Sequence, residues 1–462
     1  MGSQQLNRSL GLSMVIVMVI GNILGSGVYK KVAPMAAELH SSGWVLICWV
    51  LGGIISLFGA LSYAEVAGLL ADTGGDYVYY KKIYNKFFAF LFGWSVFTII
   101  QTAAISSLAY LFAHSLHNMV QLPVVFSSLN DFNIAGIFYP FADFNVKLTA
   151  IILIVLLTII NSRGVNTGAW FSMGILVLVL IGIVSIIVLG AASSSSDWSR
   201  VFSMQASSSK QVGFSAVFTA MLAAFWAYQG WASVGYIGGE IKNAQRNLPV
   251  GIATGIFAVI ALYLLVNSIY LSLLPVQTLE EIHYSGNKIA AVEAIRVFGG
   301  NNGALLISAL IMVTTLSCTH ATILVSCRMY YAMAKEGMFF KPVAKLNNKQ
   351  VPVNSLLLQG IWACMLVLSG TFDQLTDMII FAVFVFYGAT ALGVFILRKK
   401  MPETPRPYKV WGYPVVPAVV ILFSAALFFN TIFSRPREAG IGMALMFTAV
   451  PMYYWFKKSK ST

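Results

Sequence analysis

Polar residues are scarce along this chain, and where they occur they come in clusters. Between the clusters lie apolar stretches at 10–29, 44–70, 87–113, 147–161, 169–190, 214–237, 250–274, 303–331, 353–370, 376–397, 413–433 and 439–456. An α-helix rises 1.5 Å per residue, so about 20 apolar residues cross a ~30 Å hydrocarbon core. The pattern therefore predicts an all-α polytopic membrane protein of twelve transmembrane helices, with only short loops between them. The first run continues through Tyr29, so a span is expected there and not a cleaved leader.

Two of these stretches are interrupted. The first carries "GNILGSGVYKK" from Gly21 to Lys31, and the sixth carries "FWAYQGWASVGYIGGE" from Phe225 to Glu240. A glycine inside a helix costs about 0.5–1 kcal/mol against alanine, and unwound backbone is tolerated in a bilayer only where it is buried in protein or lines a cavity. Gly21 and Gly25, four apart, also fit a seam of small residues for close helix packing. A second break five spans after the first favours a site. Paired interruptions in the two halves of a transporter point to its binding site, where the half-helix N-terminus receives a carboxylate and freed carbonyls hold an ammonium. An odd number of spans reverses orientation, so 10–190 and 214–397 are expected to form a 5+5 inverted repeat with broken helices 1 and 6, followed by two added helices at 413–456. The whole of 1–462 is read as one transmembrane domain.

Composition agrees: 58% of the residues are hydrophobic and 10% charged. The net charge of +13 is explained by topology and by contact with anionic membrane lipid, and nucleic acid is not implied. Most basic residues fall on one side, in loops such as Lys81–Lys86, Arg328–Lys349 and Arg398–Lys409. By the positive-inside rule both termini are expected in the cytoplasm. Cys48, Cys318, Cys327 and Cys364 all lie in apolar segments, which argues against a disulfide framework.

Several further stretches, in order, carry a family likeness. "GNILGSGVY", "GALSYAEVAGLLADTGGDYVYY", "GEIKNAQRNLPVGI", "CRMYYAMAKEGMFF" and "RKKMPETPRPYKVWGYPVVP" resemble the motifs of amino acid permeases of the amino acid-polyamine-organocation superfamily, most of all its L-type amino acid transporter branch. The resemblance implies that Gly25, Ser26 and Gly27 bind the substrate carboxylate with Asn22 and Ile23 at the pocket edge. It implies that carbonyls near Trp226 and Ala227 take the ammonium, with Gln229 and Gly230 in the same break and Trp226 as the gate. No fixed carboxylate is evident there, which favours neutral amino acids over cationic ones.

The resemblance also sharpens the question of coupling. Many relatives carry a lysine on helix 5, whereas "AWFSMGILVLVLIGIVSIIVLG" has no charge. Ser317, Thr319 and His320 on helix 8 are the candidate ion or coupling residues, but no carboxylate accompanies them. Sodium-independent exchange is therefore expected, with sodium or proton symport as the alternative. His320 and Gln101 read first as helix-to-helix hydrogen-bonding residues. Glu65 and Glu240 read as loop anchors and gate contacts.

Nothing supports an enzyme. There is no His-Glu-x-x-His, the pair His114 and His117 is expected in an external loop without carboxylates, and Ser26 has no histidine to activate it. No metal and no cofactor are expected. A channel or solute-sensing receptor is the alternative of another class. The external stretch His114–Val146 contains no cysteine, whereas heteromeric relatives use one there, so no disulfide-linked heavy chain is expected. The membrane is expected to be a plasma or bacterial inner membrane.

Overall fold

A computed structural model describes residues 10–70, 75–135, 138–164, 169–205, 212–232, 241–286, 288–406 and 408–461. They form α1 (Leu12–Ile23), α2 (Gly27–Lys30), α3 (Val32–Leu39), α4 (Ser42–Leu69), α5 (Gly75–Ile83) and α6 (Lys86–Ser95). A π turn, Val96–Ile100, joins α6 to α7 (Gln101–Met119), and α8 (Phe144–Ser162), α9 (Ala169–Ala191) and α10 (Phe214–Tyr228) come next. The second half comprises α11 (Ala244–Leu273), α12 (Val276–Ser285), α13 (Ala290–Lys335), α14 (Val353–Ser369) and α15 (Phe372–Lys400). Last come α16 (Val415–Ser434), α17 (Pro436–Phe447) and α18 (Ala449–Ser461).

Among the described residues nine helical stretches are long and apolar enough to cross a bilayer, and three shorter apolar helices, Leu12–Ile23, Phe214–Tyr228 and Val353–Ser369, accompany them. This is an integral membrane protein. Two of the three short helices are the interrupted ones. The 12 residues of α1 extend about 18 Å and the 15 of α10 about 22 Å, short of a ~30 Å core.

Burial separates an inner group of helices from an outer one. In the third span, Lys86–Met119, 78% of the apolar window is buried, against 22% in the fifth, Gly174–Ala191. The uncharged fifth span thus turns mostly to lipid. Around the centre, α10 packs on α2 and α3, α11 on α4, α13 on α7, and α14 on α8. A seam of small residues does exist, but on α11, where Gly251 and Gly255 receive Val15 and Val19 of α1.

Three boundaries differ from the sequence reading. The first span resumes helix at Gly27 and continues through Leu39, because Lys31, wholly buried, finds Asp373 and Thr376 inside the protein. The third span runs on to Met119, so His114 and His117 are helical and not in a loop. Helix α13 is interrupted at Gly300, which takes φ 59° and ψ −156°, and there an outer segment turns into the eighth span.

Candidate functional site

The first break is short. Ile23 ends α1, Leu24 is extended with its N–H on the Ile20 carbonyl at 2.8 Å, and helix restarts at Gly27. No backbone partner for the N–H groups of Gly25, Ser26 or Gly27 is found among the described residues. Around Gly25 there is space, since a β-carbon there would meet only the Ile23 carbonyl, at 3.9 Å. Gly21 instead faces Leu176, 3.0 Å from such an atom. The two glycines do not form one packing seam.

Gly27 has the opposite environment. A β-carbon on it would lie 2.4 Å from the Ala227 Cα, so it is glycine because α2 and α10 touch through their backbones. At the second break α10 ends at Tyr228 and Gln229 is extended. Gly230 then takes φ +127°, with its would-be β-carbon 2.1 Å from the Asn22 carbonyl oxygen. No other residue type fits there without moving the first break.

Side chains join the two breaks. Trp226 Nε1 donates to Ser26 Oγ at 3.0 Å. The Tyr263 hydroxyl lies 3.1 Å from the Ile23 carbonyl and 2.9 Å from that of Ala227, offering its proton to one carbonyl from each break. Tyr228 anchors α10 by donating to the Trp49 carbonyl at 3.0 Å. Gln229 Oε1 accepts from the Tyr387 hydroxyl at 2.9 Å, and Trp231 lies on the Tyr387 ring at 4.7 Å between centroids.

The structure therefore brings Ile23, Gly25, Ser26, Gly27, Trp226, Ala227, Gln229 and Gly230 together; the Asn22 backbone joins them and its side chain is exposed. The carbonyls expected to take an ammonium are already engaged, Ala227 by Tyr263 and Trp226 by the Gln229 N–H at 3.2 Å, although each retains a second lone pair. On α13, Thr319 is buried and donates to the Thr315 carbonyl of its own helix at 2.6 Å, while Ser317 and His320 are half-buried. Tyr29 of α2 has Thr314 and Cys318 as its α13 neighbours. Among the described residues no group of three or more His, Cys, Asp or Glu side chains could hold a metal. Glu240 lies outside the described residues.

Cavities flank the breaks on both sides. Towards α12 lies a charged vestibule of about 370 Å³, lined among others by Lys30, Glu38, Asp373, Asp377 and Arg435. Burial holds the His283 imidazole of α12 below its usual range, so at neutral pH it adds no charge. A chain of contacts descends from this vestibule: Lys30 Nζ is 5.1 Å from the Phe372 ring, Phe372 meets Trp226 edge to face at 6.2 Å, and Trp226 holds Ser26. Towards α5 lies a smaller cavity of about 120 Å³ that reaches Gln229 and Gly230.

Sequence reading missed Tyr263, Lys30 and Lys31. A tyrosine within "FAVIALYLLVN" and two adjacent lysines just past the first break were the available signals.

A polytopic helical bundle whose two interrupted helices meet between two cavities defines a membrane permease. The chain belongs to the amino acid permease family, whose model matches residues 10–456. It is 29% identical to the serine/threonine exchanger SteT of Bacillus subtilis (strain 168) over 460 residues, covering 99% of this chain and 98% of that protein. It is 27% identical to the human b(0,+)-type amino acid transporter 1 (97% and 88% covered) and 27% identical to the mouse large neutral amino acids transporter small subunit 2 (99% and 83% covered).

Proposed function

We propose that the protein is a secondary carrier that exchanges neutral L-amino acids by alternating access, without sodium, with both termini in the cytoplasm. The observation that carries this reading is the junction of the two breaks. Unpaired N–H groups beside open space at Gly25 provide for a carboxylate, and spare lone pairs on the carbonyls around Tyr263 provide for an ammonium. Trp226, tied to Ser26, serves as the gate between this site and the vestibule. The pairwise packing of spans 1 with 6, 2 with 7, 3 with 8 and 4 with 9 supports a 5+5 inverted repeat with α16 to α18 added outside it. The four cysteines are buried or half-buried, in keeping with a carrier that works without a disulfide-linked heavy chain.

The test is counterflow in proteoliposomes loaded with unlabelled alanine. Labelled alanine should accumulate equally in sodium and choline buffers, and a several-fold dependence on sodium would replace exchange by symport. Gly25→Ala, which adds a methyl to open space, should leave the melting temperature unchanged and weaken alanine binding at least tenfold. Unchanged affinity would remove the first break from the site.

A further inference from the structure

The 120 Å³ cavity owes its shape to an irregularity in the third span. Within Lys86–Met119 the residues Val96–Ile100 form a π turn, and Thr102 Oγ1 donates to the Phe97 carbonyl, five residues back, at 2.7 Å. A π turn inserts one residue, which rotates the rest of the span by about 100° relative to a regular helix. Other spans take up the displaced carbonyls: the Tyr330 hydroxyl donates to Val96 at 3.3 Å and Trp362 Nε1 to Thr98 at 2.9 Å. Two donors from separate helices thus hold the turn in place.

Its consequence is that Val96, Ile100 and Gln101 all line the cavity. Gln101 is half-buried in a highly apolar span, and among the described residues its amide makes no hydrogen bond. Across the cavity Gln229 has its carbonyl oxygen fixed by Tyr387, which leaves its NH2 available. Met329 and Val383 add apolar wall, and Tyr63, Tyr80, Tyr387, Thr390 and Asp76 line it with hydroxyls and one carboxylate. An amide without a partner inside a membrane protein is costly, and leucine or methionine would pack the same volume without that cost. The cavity has room for about four waters or a side chain of similar size, and Gly230, beside the junction of the breaks, is part of its lining.

We propose that this cavity receives the side chain of the carried amino acid, and that Gln101 selects side chains ending in a hydroxyl or carboxamide over aliphatic ones of the same shape. The inference rests on the carrier reading above. Its physical basis is that an apolar isostere leaves the two amides buried and unpaired, whereas threonine or asparagine satisfies them. Apolar walls still admit the methylenes, so small neutral substrates such as alanine fit with less discrimination.

The experiment compares isosteric pairs as competitors of labelled alanine in counterflow: threonine against valine, and asparagine against leucine. In the wild-type protein the polar member of each pair should compete at least tenfold better. In Gln101→Met both ratios should fall towards one. In Gln101→Asn, which withdraws the amide by one methylene, preference should shift from asparagine to glutamine. Ratios are internal to each preparation, so a slower variant is read as well as a fast one. Wild-type ratios near one, or ratios unchanged in Gln101→Met, overturn the assignment. If that variant does not reach the membrane, the wild-type pairs and Gln101→Asn decide. Absence of alanine counterflow in the wild type would instead sink the carrier reading itself.

Discussion

The two ends of the bundle are closed in different ways. At the α5 end Glu65, 3% exposed in its side chain, accepts from Arg398 at 2.9 and 2.7 Å and from the Val410 N–H at 2.6 Å, with Arg406 Nε 3.4 Å away. Rings of Tyr80, Phe88, Phe92 and Phe386 pack edge to face beside it. At the α12 end Lys31 bonds Asp373 at 2.7 Å and Thr376 at 2.6 Å, and Arg435 bonds Glu38, but Glu38, Asp373 and Arg435 also line a 370 Å³ vestibule. One end is shut by an ion-pair cluster and packed rings beside a cavity of only about 120 Å³, the other by a thin floor of Phe372 and Trp226 under a polar chamber of about 370 Å³. The contrast concerns ion pairs: breaking one that protein surrounds should cost more than breaking one that borders a cavity, because a charge that loses its partner is expensive only when nothing else can solvate it.

That difference predicts an order of effects. Glu65→Gln should be the most damaging, since it leaves Arg398 and Arg406 facing a neutral amide with Arg406 only 6% exposed. A loss of about 3 kcal/mol is expected, read as a fall of roughly 5 °C or more in the melting temperature of the detergent-solubilised protein. It should also raise the labelling of a Thr390→Cys reporter in the α5-side cavity. Lys31→Met should cost less, about 1–2 kcal/mol, because the Asp373 side chain is 22% exposed and Lys30 lines the same vestibule. A larger drop than that of Glu65→Gln would invert the comparison. Trp226→Phe should be mildest in stability, about 1 kcal/mol for one hydrogen bond, since the ring still packs on Phe372. Its effect should appear in turnover, with exchange slowed several-fold and equilibrium binding of alanine changed less. Equal loss in both measurements would make Trp226 a binding residue and not a gate.

Much of this was readable from the chain. The glycine motifs at 21–27 and 229–230 mark the places where α1 and α10 stop, because glycine in an otherwise apolar helix has no packing reason to be there unless backbone must come close or come free. What was not readable is which glycine does which. Gly25 borders open space while Gly27 touches Ala227, and both sit in the same short motif. Gln101 resembles any polar residue that ties helices together. The π turn before it leaves no mark, since "WSVFTIIQTA" is as regular an apolar helix as its neighbours.

Hydropathy, the two interruptions and the side on which basic residues accumulate are local properties, and each reflects how a residue partitions between lipid and water. They dictate an integral membrane bundle, where its helices lie and where two of them break. Partnership is not local. Tyr263 meets Ile23 across 240 positions, Trp226 meets Ser26 across 200, and Glu65 meets Arg398 across 333. A hydroxyl, an indole or a carboxylate can bond many groups, and only the packing of α11 on α1 and α4, or of α15 on α4, selects the one it finds. The shape of the two cavities is decided at the same level, because a cavity is what remains when several helices, each regular by itself, cannot fill the space where two of them unwind.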